Sequence, residues 1–380
     1  MRMLIVPMAA MAETAGSYSR TALLAEGLRK SGIEVATCAA NDFNFRPIKG
    51  VKNYYLTVPM PLGLPQKIAV HTFPIAQRLG ITSRKSVNSF DDVLHLTGNT
   101  QYSYIKRSVG DIRKAIQDFN PDVIYSEFNI SAIVAGKLEH RRIYISTSMP
   151  TQYEYAHTHK YAKGLNRFLK ENRLTAVRSC VELFSWADWK FIPSCYELEP
   201  FTDKNATFYG TLKRAKSEGV QDRHSILVYM GNGTISKKKM IKEVGLAFEN
   251  SQYSVYIAGQ GLREQSIGNV HIAPYFNFQK LLPNSFVFIN HGGQNSVIDG
   301  FIYGVPQIIC AGKVFERKYN AKSVVKARAG IELSTSEFKA EYIKAAFEEI
   351  ISSQEYQKNA SEIGKRLLSL GGVQSIIRYL

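Results

Sequence analysis

The run His291-Gly292-Gly293-Gln294-Asn295-Ser296 holds the densest set of groups suited to gripping an anion. It follows Phe286-Val287-Phe288-Ile289, four apolar residues that read as a strand entering a turn. Gly292 and Gly293 lack a Cβ, so the backbone can turn sharply and come close to a phosphate. Asn295 and Ser296 then open a helix expected over 297–303, where free N–H groups and the helix dipole favour negative charge. His291, just before the turn, can donate to the same anion, more strongly if protonated. Singly, these pieces read as a tight turn, a helix cap and a core histidine. As an ordered set they point to a diphosphate.

A strand, glycine turn and helix of this kind bind ligands beyond the carboxyl edge of an open parallel sheet. The chain supplies that frame twice. In the first half, short apolar runs at 3–7, 34–39, 123–126 and 143–146 alternate with helical patterns at 19–31, 105–119 and 130–138. Ala22, Leu23, Leu24 and Leu28 share one face of the first helix. In the second half, strands are expected at 226–229, 255–258, 270–272 and 286–289, with a helix at 238–249. Between the first of these strands and that helix lies a glycine loop, Gly231-Asn232-Gly233-Thr234. Residues 59–65 are too proline-rich for regular structure and read as a long loop. From 336 onward the chain reads as helical apart from Gly371 and Gly372.

At 380 residues the chain exceeds what one core usually organises, so two domains are expected, with a boundary near 203–219. A hydrophobic share of 45% with no low-complexity tract excludes disorder as the organising theme. Cys38, Cys180, Cys195 and Cys310 lack metal-like spacing, which argues for reduced thiols in a cytoplasmic protein and against zinc. Residues 4–12 are short for a signal peptide and read as a first strand with its loop. No stretch approaches the ~20 apolar residues that span a bilayer. The formal charge of +16 implies an anionic partner: phosphates, nucleic acid or an acidic membrane. No nucleic-acid motif accompanies it.

The segment from His291 through Asp299 and Gly304 to Pro306, followed by Glu316, Arg317, Asn320 and Ala321, resembles the donor-binding signature of family 1 glycosyltransferases. Fainter similarity covers the rest: Gly16 through Val35 with the family's opening loop and helix, Pro121 through Glu127 with its Pro-Asp strand, and Phe208 through Gly210 with its interdomain segment. The resemblance implies an α/β fold of GT-B type, two tandem Rossmann-like domains facing a cleft. Residues 1–205 would bind the acceptor, 206–352 the nucleotide sugar, and terminal helices over 353–380 would return toward the first domain. It also implies inverting hexosyl transfer to an acceptor hydroxyl with no metal and no cofactor beyond a nucleotide-sugar co-substrate, UDP-sugar favoured.

Carried over by position, Asp299 stands where the family usually has a glutamate on the ribose hydroxyls, one methylene shorter in reach. Tyr275, beside Phe276, falls at the aromatic platform for the base. Glu316 and Arg317 replace the frequent Asp-Gln pair on the donor sugar, so the sugar need not be glucose. Gly231, Gly233 and Thr234 resemble the first glycine loop of the carboxyl domain.

The expected base is the weak point of the pattern. Where the family has a histidine held by an aspartate, this chain has Ser17 and Glu127. Serine is no base unaided, so Glu127, with a pKa raised by burial, or Glu13 on the same loop as Ser17, is the candidate. That gap keeps two alternatives open: a catalytically weak nucleotide-sugar-binding partner protein, and a nucleotide-sugar epimerase. Between 160 and 178, Lys160, Lys163, Arg167, Lys170, Arg173 and Arg178 face a single acid, Glu171. This segment is either a solvated helix face or an interfacial helix on the inner face of an anionic membrane, and the acceptor is correspondingly a small molecule or lipid-linked.

Overall fold

Strand β1 (Arg2–Pro7) buries every residue from Met3 to Pro7, as a strand does when both faces of its sheet are covered. Around it lie β2 (Glu34–Ala40), β3 (Lys52–Leu56), β4 (Val123–Glu127), β5 (Arg142–Ser146), β6 (Trp189–Ile192) and β7 (Ala206–Phe208). Their order is β3-β2-β1-β4-β5-β6-β7, parallel throughout. A second sheet contains β8 (Ser225–Tyr229), β9 (Ser254–Ala258), β10 (Gln265–Ile267), β11 (Val270–Ala273), β12 (Ser285–Asn290), β13 (Gln307–Ile309) and β14 (Gly330–Glu332). It runs β10-β11-β9-β8-β12-β13-β14, with β10 alone antiparallel. The fold is GT-B, two α/β domains. This computed structural model describes all residues except 11–15, 43–45, 62–63, 65–67, 69–85, 157, 215–222 and 232.

In each sheet the winding reverses once, between β1 and β4 and between β8 and β12. Crossovers leave such a point in opposite directions and open a crevice beyond the strand ends. The strand ends there are Pro7 beside Glu127 in the first domain and Tyr229 beside Asn290 in the second. Both reversals therefore lead into the cleft between the domains, which Met8 and Phe128 line after the first pair of strand ends and Tyr229 and His291 line at the second.

The first sheet extends past the boundary expected at 205, because β7 bonds to β6 and belongs with it. The chain crosses at Tyr209 and Gly210. Gly210 has φ +69°, and a Cβ there would stand 2.0 Å from the Leu367 carbonyl oxygen. The terminal segment is three helices, Ala340–Ser352, Gln354–Ser369 and Val373–Ile377. The second packs on helix Gln294–Ile302, and the third lies on helix Gly16–Lys30 of the first domain. Trp189 stacks on Tyr379 at 4.3 Å, which pins the chain end to the first sheet.

The basic segment forms a shorter helix than its cations suggest, Lys163–Glu171. Leu165, Phe168 and Leu169 are buried, and the helix packs against Tyr102–Phe119. Its apolar face is thus spent on the domain's own core, while Lys163, Arg167 and Lys170 stay exposed. Arg167 pairs with Glu171 at 3.1 Å and lies over Tyr102. Among the described residues no helix is long and apolar enough to cross a membrane.

Candidate active site

The glycine turn after β12 is held from three sides. Asn290 Oδ1 accepts the Gly292 N–H at 2.8 Å, and Asn320 Nδ2 donates to the Gly292 carbonyl at 2.8 Å. Gly292 has φ +78°, and a Cβ would stand 2.9 Å from the Arg317 carbonyl oxygen. Gly293 caps helix Gln294–Ile302 in extended geometry without a side chain to bond the first amides. The helix starts three residues earlier than 297, so Asn295 and Ser296 lie within its first turn. Their N–H groups are among the four that a helix leaves unpaired.

His291 sits between two glycines: Cβ atoms built on Gly231 and Gly293 would approach its ring to 3.2 and 2.7 Å. Its Nδ1 is 3.4 Å from the Tyr229 carbonyl, which can only accept, so the ring proton sits on Nδ1. Burial, and then the Arg317 cation, lower the pKa to about 3. A neutral ring protonated at Nδ1 shows a lone pair at Nε2. The donation to a diphosphate expected of His291 thus has no N–H at Nε2 to make it in this tautomer.

Opposite the turn, Gly231 and Gly233 have φ of +57° and +97°. Thr234 does not face the cleft; its Oγ1 accepts Arg317 Nη1 at 2.6 Å and so braces that guanidinium. Glu316 and Arg317 both line the cleft. Tyr275 is 77% exposed at the rim, with Phe276 behind it edge-on to Tyr256 at 5.4 Å. Asp299 also lines the cleft, but Lys213 holds both its oxygens, at 2.5 and 2.7 Å. Burial raises the Asp299 pKa and Lys213 opposes the rise.

On the amino-terminal side, Ser17 lines the cleft whereas Glu127 does not. Glu127 is 1% exposed; Arg20 Nε donates to its Oε1 at 2.6 Å, and the Ser146 hydroxyl donates to Oε2. With both oxygens engaged and sealed from the cleft, Glu127 is not placed to take a proton from an acceptor, contrary to the sequence expectation. Glu13 lies outside the described residues. Arg20 Nη1 continues across the cleft to Gln294 Oε1 and Asn295 Oδ1, each at 3.2 Å. Gln294 Nε2 donates to Glu199 Oε1 at 3.0 Å, and Glu199 Oε2 accepts the Met149 N–H at 2.6 Å. Burial pushes the Glu199 pKa up to about 7.

These bonds and a backbone clasp close the domains on each other. Val87 donates to the Lys313 carbonyl at 3.2 Å and accepts from Phe315 at 2.9 Å. The cleft measures about 1230 Å³, with Met8, Phe90, Val93 and Phe128 as its apolar amino-terminal wall. Arg20, Lys213, Glu199 and Gln294 escaped the sequence reading. Arg20 falls one helical turn after Ser17, and Gln294 stands inside the glycine motif, which are the signals that could have found them.

Residues 258–379 match the family described as erythromycin biosynthesis protein CIII-like, C-terminal domain. A UDP-glucosyltransferase B1 of Starmerella bombicola is 26% identical over 37% of this chain, which spans 34% of that relative's length. An NDP-glycosyltransferase, YjiC of Bacillus subtilis (strain 168), is 21% identical over 72% of this chain and 76% of its own. The fold matches the calicheamicin glycosyltransferase CalG4 with a TM-score of 0.74 at 16% identity, covering 99% of this chain and 96% of that one. It also matches the spinosyn rhamnosyltransferase SpnG, solved with thymidine diphosphate, with a TM-score of 0.70 at 14% identity over 100% and 99% of the two chains. Carboxyl-domain match, relatives and two-domain architecture agree in likening the chain to the family 1, UDP-glycosyltransferase-like glycosyltransferases, with the GT-B fold common to the solved structures.

Proposed function

We propose that this chain is an inverting, metal-independent glycosyltransferase that moves a sugar from a uridine or thymidine diphosphate donor to a hydroxyl of a small-molecule acceptor. The observation that carries the reading is the uncapped start of helix Gln294–Ile302, opening on a cleft between two domains. Unpaired amides and the helix dipole there stabilise the charge that grows on a departing diphosphate. The acceptor oxygen bonds to the anomeric carbon as the bond from that carbon to the β-phosphate oxygen breaks. The electron pair leaves on the diphosphate, and the acceptor proton goes to a base. Asp299 faces the ribose, Tyr275 and Phe276 the base, and Glu316 and Arg317 the sugar. His291 packs the turn, the loop of Gly231 and Gly233 shapes the opposite wall, and Thr234 acts through the Arg317 guanidinium it braces.

With Glu127 committed to Arg20, Glu13 is the carboxylate we assign to that proton, and Ser17 a hydroxyl that orients the acceptor. The same Arg20–Glu127 pairing favours a second reading, a nucleotide-sugar-binding partner protein with little turnover. Four buried, free cysteines support a cytoplasmic setting. A lipid-linked acceptor, or attachment to an anionic membrane, would rest on surface charge alone. Calorimetry with uridine and thymidine diphosphates, then product analysis over a donor and acceptor panel, tests the proposal. Affinity for neither diphosphate would end it, and tight binding with no transfer, together with an unchanged Glu13→Gln variant, would favour the partner reading.

A further inference from the structure

Arg20 leaves the amino-terminal domain on helix Gly16–Lys30 and ends against the first turn of the donor-side helix. Nε is 2.6 Å from Glu127, and Nη1 is 3.2 Å from both Gln294 and Asn295. The side chain is 14% exposed, lies over the Phe128 ring at 5.4 Å, and lines the cleft. Nη2 donates to no described residue. With Nε on Glu127 and Nη1 shared by Gln294 and Asn295, the guanidinium is fixed in orientation and keeps the two N–H donors of Nη2 for a charged ligand such as a phosphate.

Among the described residues that line the cleft, the other basic side chains are engaged or uncharged. His291 is neutral, Lys213 is spent on Asp299, and Arg317 is turned to Thr234 beside Glu316. Burial works against the Arg20 cation, but Glu127 outweighs it and keeps the charge in place.

We propose that Arg20 is a diphosphate-binding residue, supplied by the amino-terminal domain to the donor's β-phosphate, with Glu127 as its positioning residue. The inference rests on the donor reading above. It gives the acceptor domain a direct hold on the donor and explains why Glu127 faces Arg20 rather than the acceptor. A ligand gripped by Arg20 on one side and the helix start on the other ties the domains together.

The test is calorimetry on the full chain with uridine and thymidine diphosphates and the matching monophosphates. Arg20→Met should weaken diphosphate binding ~10–100-fold, the scale of a lost hydrogen bond to a charged group. Monophosphate affinity should hardly change, and Arg20→Lys should recover only part of the loss, because an ammonium keeps the charge but cannot bond Glu127, Gln294 and Asn295 and still offer donors held in a fixed plane. Glu127→Gln keeps the cation and should weaken diphosphate binding less. Arg20→Met alone strands a buried carboxylate, so Arg20→Met/Glu127→Gln, checked by thermal melting, serves as the folded comparison. Wild-type diphosphate affinity in either folded variant overturns the proposal, as does an equal loss for mono- and diphosphates. If the wild-type chain binds neither diphosphate, the donor reading itself falls and takes this inference with it.

Discussion

Lys213 Nζ lies 2.5 Å from Asp299 Oδ1 and 2.7 Å from Oδ2, straddling the fork of the carboxylate. A vicinal ribose diol would use that same fork, one hydroxyl to each oxygen, and meets an ammonium already there. A 2′-deoxyribose, with one hydroxyl to place, does not compete for it. Uridine diphosphate should therefore bind no more tightly than 2′-deoxyuridine diphosphate, from which it differs only at the 2′ position. Lys213→Met should shift the ratio of the two dissociation constants toward the ribonucleotide by ~10-fold, one hydrogen bond to a charged group. Competition binding with the two nucleotides reads this directly, and an unmoved ratio would show that Asp299 does not meet the ribose.

His291 should make the fold sensitive to mild acid. Its pKa falls from the ordinary value of 6.5 to about 3 through burial and Arg317, so below pH 6.5 the unfolded chain binds a proton that the folded chain refuses. The contribution is whole above pH 6.5 and is lost as pH falls from there toward 3. Urea midpoints of His291→Gln should drop less than those of the wild type between pH 7 and pH 5. Parallel curves would mean that the imidazole titrates normally.

Glu199 has the opposite slope. Burial raises its pKa from 4.5 to about 7, so the folded chain holds a proton that the unfolded chain has released. Its contribution is full below pH 4.5 and is lost as pH rises through 7. Because Glu199 joins Gln294 to the Met149 amide, the loss should register as weaker coupling of the domains. Between pH 6 and pH 8 the melting temperature of Glu199→Gln should change less than that of the wild type, and identical shifts would remove Glu199 from the account.

The framework was legible because its signals are local. Buried parallel strands read as apolar runs, and β1, β4, β8, β9 and β12 lie where such runs occur. Gly292 and Gly293 announce a turn by composition alone. Strands of three residues such as β7, β13 and β14 carry too little pattern, which is why the boundary fell at 205 although β7 stays with the first sheet. The cross-cleft network was illegible for a different reason. Arg20 meets Glu127 across 107 positions and Gln294 across 274, and no spacing rule reaches that far. Asp299 could be placed by its position in a motif, but that Lys213, 86 positions away, would sit on it could not.

The donor helix depends on a contact far from the cleft. Gly364, in helix Gln354–Ser369, packs so closely on helix Gln294–Ile302 that a Cβ would stand 1.9 Å from the Phe301 carbonyl oxygen. Backbone cannot yield as a side-chain tip does, so Gly364→Ala must push the two helices apart, an overpacking worth ~1–3 kcal/mol. The displaced helix carries Asn295 and Ser296, so diphosphate affinity should fall along with stability. Gly245 supplies the control: it is helical in Lys237–Phe248 with nothing within 4 Å of its Cβ position. Gly245→Ala should stabilise the chain by ~0.4–1 kcal/mol through a less entropic unfolded state and leave nucleotide binding alone. Denaturant unfolding and diphosphate titration of both variants provide the comparison. A Gly364→Ala chain as stable and as tight-binding as the wild type would show that the terminal helix does not set the position of the donor turn.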